Sequence, residues 1–228
     1  MLYSIIFSNQ YTPQEAVIVL LISVCVFFIS LTLHELAHGF VAYKMGDLTP
    51  KIQGRLTLNP LKHLDPMGFM CFIFFGFGWA KPVEYNPMNF KKYKKGMRIV
   101  SIAGVLTNVL LGLLSAGLYA ILMSTVGIPS EAMGYVYMVL ASFMTINSFL
   151  ALFNFLPIFP LDGFNFVKTF IRGENKFTQF NYRYGSKLIW GIILGSLVID
   201  FMFNFDVFGW YLSLLNNYVF IPIALLGV

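Results

Sequence analysis

Five stretches of this sequence run close to a membrane-spanning length with almost no charge. They are residues 16–33, 99–128, 132–156, 188–203 and 207–228, and Asp200 is the single charged side chain among them. Crossing the hydrocarbon of a bilayer as a helix takes about 20 mostly apolar residues. Only helices and closed barrels satisfy every backbone polar group there. The chain has 228 residues, 58% of them hydrophobic and 11% charged. That leaves too little polar surface for a water-soluble domain. The expected fold is an all-α integral membrane protein of about five spanning helices. It is read as one domain over residues 1–228, with a core at 13–165 and C-terminal helices at 185–228. Thr12 and Pro13 lead into the first span, Pro129 ends the second, and Ser130 is placed to cap the third. Residues 1–11 carry no Lys or Arg and so lack the basic region of a cleaved signal peptide. Cys25 and Cys71 both lie in apolar segments, as small core residues rather than a disulfide framework or a thiolate metal site.

A sixth apolar stretch, residues 67–80, is shorter. It holds Gly68, Gly76 and Gly78 and is bounded by Pro66 and Pro82. The 15 basic residues fall into three groups, at 44–62, 81–98 and 168–187. The connections near Pro129 and Asp206 have none. If residues 67–80 crossed the bilayer, the first two groups would lie on opposite sides. If they enter and return, all three lie on one side. The positive-inside rule favours the re-entrant path, with the N-terminus outside and the basic loops cytoplasmic. A formal net charge of +5 then points to anionic lipid rather than nucleic acid.

At the inner end of the first span the sequence reads His34-Glu35-Leu36-Ala37-His38. Residues four apart share one face of a helix, so two imidazoles can bind one metal ion while the Glu between them reaches a water. Three ionisable groups within five residues of an apolar helix are costly, at about 2.5–3.5 kcal/mol for a charge at a helix centre. The bland alternative is a helix end solvated at the interface. Catalytic zinc needs a third protein ligand and an open position. His63 is one candidate. Asp162 is the better one, because the third span returns it to the side of His34 and His38. Pro157 and Pro160 should unwind the chain before it, and Gly163 allows a turn just after it.

The H-E-x-x-H helix and the segment Asn154-Phe155-Leu156-Pro157-Ile158-Phe159-Pro160-Leu161-Asp162-Gly163 resemble the site-2 protease family of intramembrane zinc metalloproteases. So do residues 59–66 and 78–83, which are similar to the compact prokaryotic branch without a PDZ domain. The resemblance runs from about residue 16 to 163. It implies one zinc ion per chain on His34, His38 and Asp162, with Glu35 as general base and acid. It also implies a site below the cytoplasmic face of a prokaryotic cell membrane. The substrate it implies is a transmembrane helix of another protein, hydrolysed within or near the bilayer.

Other residues carry two readings each. By resemblance, Asn108 holds substrate backbone or the oxyanion; alternatively it makes a helix–helix hydrogen bond beside a close-packing Gly104. Asn154 either contacts substrate or the metal-site backbone, or caps the unwound turn. His63 and Asp65 are read first as loop anchors and second as gating groups near the metal. Residues 79–85, with Trp79, Lys81 and Val83, are expected to form a strand in a small embedded β-hairpin or sheet whose free edge pairs with unwound substrate. The alternative there is an interfacial loop. The rival to a protease is a metal-binding membrane transporter or sensor using the same ligands. The charge-poor outer halves of the spans speak against a transport path. An inactive scaffold is disfavoured by the intact Glu35. The sequence carries no signature of an oligomeric state.

Overall fold

The computed structural model describes residues 12–75, 78–171, 173, 175–203 and 207–227. The N-terminal stretch 1–11, Gly76, Arg172 and Asp206 lie outside the described residues. Helix α1 spans Pro13–Met45. It begins with a capping box: the Thr12 hydroxyl accepts from the Glu15 backbone, and the Glu15 carboxylate accepts from the Thr12 backbone. It ends at Gly46, whose φ of 113° lies in the left-handed region that closes a helix. At about 1.5 Å per residue its 33 residues extend roughly 50 Å, longer than the hydrocarbon is thick.

Short helices α2 (Thr49–Ile52) and α3 (Pro66–Phe75) follow, then α4 (Tyr93–Thr125) and α5 (Glu131–Phe155). Helices α1, α4 and α5 pack on one another as a three-helix core. Helix α6 (Asp162–Lys168) packs on α4 and α5. Helices α7 (Lys176–Phe203), α8 (Val207–Leu212) and α9 (Ile221–Ala224) complete the chain. Among the described residues, four helical stretches are long and apolar enough to cross a membrane: Pro13–Met45, Tyr93–Thr125, Glu131–Phe155 and Gly209–Gly227. The remaining predicted span, residues 188–203, is the apolar part of α7. The first turns of that helix carry Lys176, Arg183 and Lys187.

The expected β-hairpin is absent: among the described residues there is no strand, only an isolated antiparallel bridge between Leu64 and Ala80. The physical reason lies in where the backbone groups of residues 81–83 go. The carbonyls of Lys81 and Pro82 accept from the guanidinium of Arg55, which is 7% exposed. The Val83 amide donates to Glu35, and Pro82 has no amide to donate. Side chains thus take the groups that a ladder would need. The segment is extended but held as a braced loop.

The short apolar stretch folds back on itself. Helix α3 has 10 residues, half of a spanning length. A Cβ on Gly68, in its first turn, would lie 2.2 Å from the Trp79 carbonyl, so the outgoing chain passes directly against the start of the helix. With Leu64 bridged to Ala80, the segment ends beside the place where it began. Asp65 caps it, accepting from the Gly68 amide at 2.8 Å.

Candidate metal centre

The His-x-x-x-His spacing places both imidazoles on one face of α1, four residues apart, and both side chains are buried. Helix α4 passes so close to them that a Cβ on Gly104 would lie 2.4 Å from His38 Nε2 and 2.5 Å from His34 Cε1. Only glycine allows that approach. Helix α5 ends at Phe155, ahead of Pro157, and the irregular turn 156–161 delivers Asp162 as the first residue of α6. Gly163 permits the tight return, since a Cβ there would meet the Phe155 carbonyl at 2.1 Å. His38 Nε2 is then 3.1 Å from His34 Nε2 and 3.0 Å from Asp162 Oδ2, and His34 Nε2 is 3.3 Å from the same oxygen.

These three atoms face one another because hydrogen bonds behind them decide which ring nitrogens carry protons. His38 Nδ1 lies 2.8 Å from the Val100 carbonyl, which can only accept, so that nitrogen donates. The His34 side is fixed by a longer relay. The Asn147 amide nitrogen donates to the Phe143 carbonyl at 2.8 Å and meets Ser30 Oγ at 2.9 Å. That turns Asn147 Oδ1 toward Asn108, whose Nδ2 donates to it at 2.8 Å. Asn108 Oδ1 is therefore presented to His34 Nδ1 at 2.6 Å, and Nδ1 must be the donor. With Nδ1 protonated, each neutral imidazole carries its lone pair on Nε2. Two such nitrogens and a carboxylate within about 3 Å repel unless a cation sits among them. A proton can bridge only two of the three, whereas a metal ion engages all three. A tetrahedral zinc with arms of about 2.0–2.2 Å has ligand–ligand edges of about 3.3–3.5 Å. The observed 3.0–3.3 Å is close to that, so the residues present fit the ion.

Glu35 is buried next to His34 in α1 and is not one of the three clustered ligand residues. Its Oε2 accepts from the Val83 amide at 2.8 Å, which ties the carboxylate to the loop braced by Arg55. Burial, and then the charges of Asp162 and Glu35, push the Tyr85 phenol up to about 12, so it stays protonated. His63 lies outside the ligand cluster: its Nε2 donates to the Thr57 carbonyl at 3.0 Å. Asn108 is fully buried with both ends of its amide committed to His34 and Asn147. The Asn154 amide turns back to the Leu150 carbonyl in its own helix. Trp79 packs edge-on to Trp190 with ring centroids 6.0 Å apart, and Lys81 is exposed. Sequence reasoning missed Asn147, Ser30, Val100 and Arg55. Only Asn147 left a signal, as an amide in an apolar helix seven residues before Asn154.

A helical membrane protein with two buried histidines, one part-buried carboxylate and a glutamate next to the first histidine is the class this fold and site define. Comparison with known proteins agrees. The chain is 44% identical over 147 residues to "Putative zinc metalloprotease YwhC" of Bacillus subtilis, covering 63% of this chain and 66% of that protein. It is 28% identical over 174 residues to "Putative zinc metalloprotease Rip2" of Mycolicibacterium smegmatis, covering 74% of this chain and 64% of that one. With Rip2 of Mycobacterium tuberculosis the identity is 29% over 153 residues, covering 65% and 56%. The match thus spans slightly under two thirds of the first two relatives and little over half of the third. No family model and no solved structure matches the chain. The chain is thus similar over most of its length to proteins that each carry the name "Putative zinc metalloprotease".

Proposed function

We propose that this protein is an intramembrane zinc endopeptidase, hydrolysing a peptide bond within or near a transmembrane helix of a membrane-protein substrate. The observation that carries the reading is the convergence of buried His34 and His38, on a helix of membrane-spanning length with Glu35 alongside, with the part-buried Asp162. In the proposed reaction His34, His38 and Asp162 hold one zinc ion per chain. When bound, zinc would polarise the scissile carbonyl and acidify the attacking water. Glu35 then accepts the proton of that water on its second oxygen, Oε1, and passes it to the leaving amine. Its anchoring to Val83 holds the carboxylate in place for both transfers. Gly104 has no side chain to fill the space beside the ligand nitrogens, although the α4 backbone passes close to them. The transporter or sensor reading gains no comparable support, since the relatives are named as metalloproteases.

We further place the three basic loops and the metal centre toward the cytoplasm of a prokaryotic cell membrane. The return of residues 64–80 to their starting point supports that arrangement. Asn154, Trp79, Lys81 and Val83 remain the proposed substrate-side residues, whereas Asn108, its amide committed to His34 and Asn147, acts through His34. The test is a comparison of membrane proteins in cells carrying the native chain or Glu35→Gln. Transmembrane fragments that vanish in the variant are expected. Identical fragment profiles would contradict protease activity.

A further inference from the structure

A cavity of about 240 Å³ opens between the first turns of α4, the end of α6 and the start of α7. Lys94 enters it from α4 and Lys168 from α6, joined by the Asn165 amide and the hydroxyls of Tyr93, Thr178 and Tyr182. No carboxylate lines it among the described residues. Arg98, one turn along α4 from Lys94, stacks 4.3 Å over the Phe170 ring and donates to Thr169 on the cavity wall. Among the described residues the salt bridges join only histidines to Asp162, and none gives these cations an acidic partner. Helix α4 starts here without a side-chain cap, its free amides adding positive potential. The place is one end of a membrane-length helix, where head groups lie. Half-exposed Tyr93, Tyr182 and Phe170 supply the aromatic belt usual at that depth.

We propose that this cavity binds the phosphate of an anionic phospholipid headgroup, gripped between Lys94 of α4 and Lys168 of α6. Two lysines from different helices, the Asn165 amide and the phenol protons of Tyr93 and of Tyr182, whose oxygen accepts from Lys168, suit a phosphodiester, and an adjoining apolar span suits its acyl chains. Such a lipid would bridge α4, which carries Gly104 and Asn108, to α6, which begins at Asp162. It would therefore brace the helix that presents the third ligand.

Native mass spectrometry of the purified full chain in detergent measures this directly. The protein is titrated with phosphatidylglycerol, with phosphatidylcholine of the same acyl chains, and with inorganic phosphate. Phosphatidylglycerol is expected to bind about tenfold or more tighter than phosphatidylcholine, a preference that Lys94→Gln/Lys168→Gln removes. Lys44→Gln/Lys51→Gln, from another basic group, should keep it. Lys168→Arg, which retains the charge, should also keep it; loss there would make the effect structural and overturn the assignment. Equal loss in the Lys44/Lys51 variant would show diffuse surface attraction instead. Displacement of phosphatidylglycerol by millimolar inorganic phosphate would identify a soluble phosphate ligand and overturn the lipid assignment.

Discussion

Each histidine of the centre has one ring nitrogen committed to an oxygen and one left for the ion. For His34 that commitment depends on residues two helices away. The Phe143 carbonyl orients Asn147, Asn147 orients Asn108, and Asn108 sets the proton on His34 Nδ1. Replacing Asn147 by Leu leaves the Asn108 amide free to flip and present its NH2 to the imidazole, so His34 Nε2 would no longer be fixed as the lone-pair nitrogen. Loss of such supporting hydrogen bonds typically costs about 10–100-fold in metal affinity. Asn147→Leu should show that loss in a chelator competition with zinc. Asn154→Leu, whose amide reaches only its own helix at Leu150, should leave zinc affinity unchanged. Equal affinities for native protein and Asn147→Leu would remove the relay from the account.

At the scale of elements, the centre is a crossing of α1 and α4 closed by the turn before α6. The closeness of the crossing rests on Gly104. A methyl there would sit inside contact distance of both imidazoles, and overpacking of this kind costs about 1–3 kcal/mol. Gly104→Ala should fold, insert and lose most of its zinc, as read by elemental analysis; full zinc in that variant would show that the crossing is not limiting. Much of this element was legible in the sequence. His34, Glu35 and His38 sit at fixed helical spacing, and the prolines before Asp162 announce an unwound turn. The relay was not legible, because two amides in different helices look alike until their register is known. The strand over 79–85 was misread for a related reason. Alternating residues and prolines report an extended backbone, but Arg55 lies far back in sequence, and only the fold brings its guanidinium to the carbonyls of Lys81 and Pro82.

Across the whole molecule, charge and topology must agree. In the proposed topology the pairing of Leu64 with Ala80 returns the chain to its entry point, with the first two basic groups on one side of the bilayer. Single cysteines at Gln53 and Lys95, in a chain lacking Cys25 and Cys71, should label from the same face of sealed vesicles. Labelling from opposite faces would mean that residues 67–80 cross after all. The same arrangement sets Glu35 beside the ligand set, held by Val83 and free of the three ligand atoms. The central claim is that Glu35 moves a proton and does not hold the metal. It is tested most directly by measuring peptide hydrolysis and zinc content on one purified sample of Glu35→Gln. The account predicts zinc equal to that of the native protein with hydrolysis down by about 10²–10⁴-fold. Full zinc with near-native hydrolysis, or loss of zinc along with activity, would contradict it.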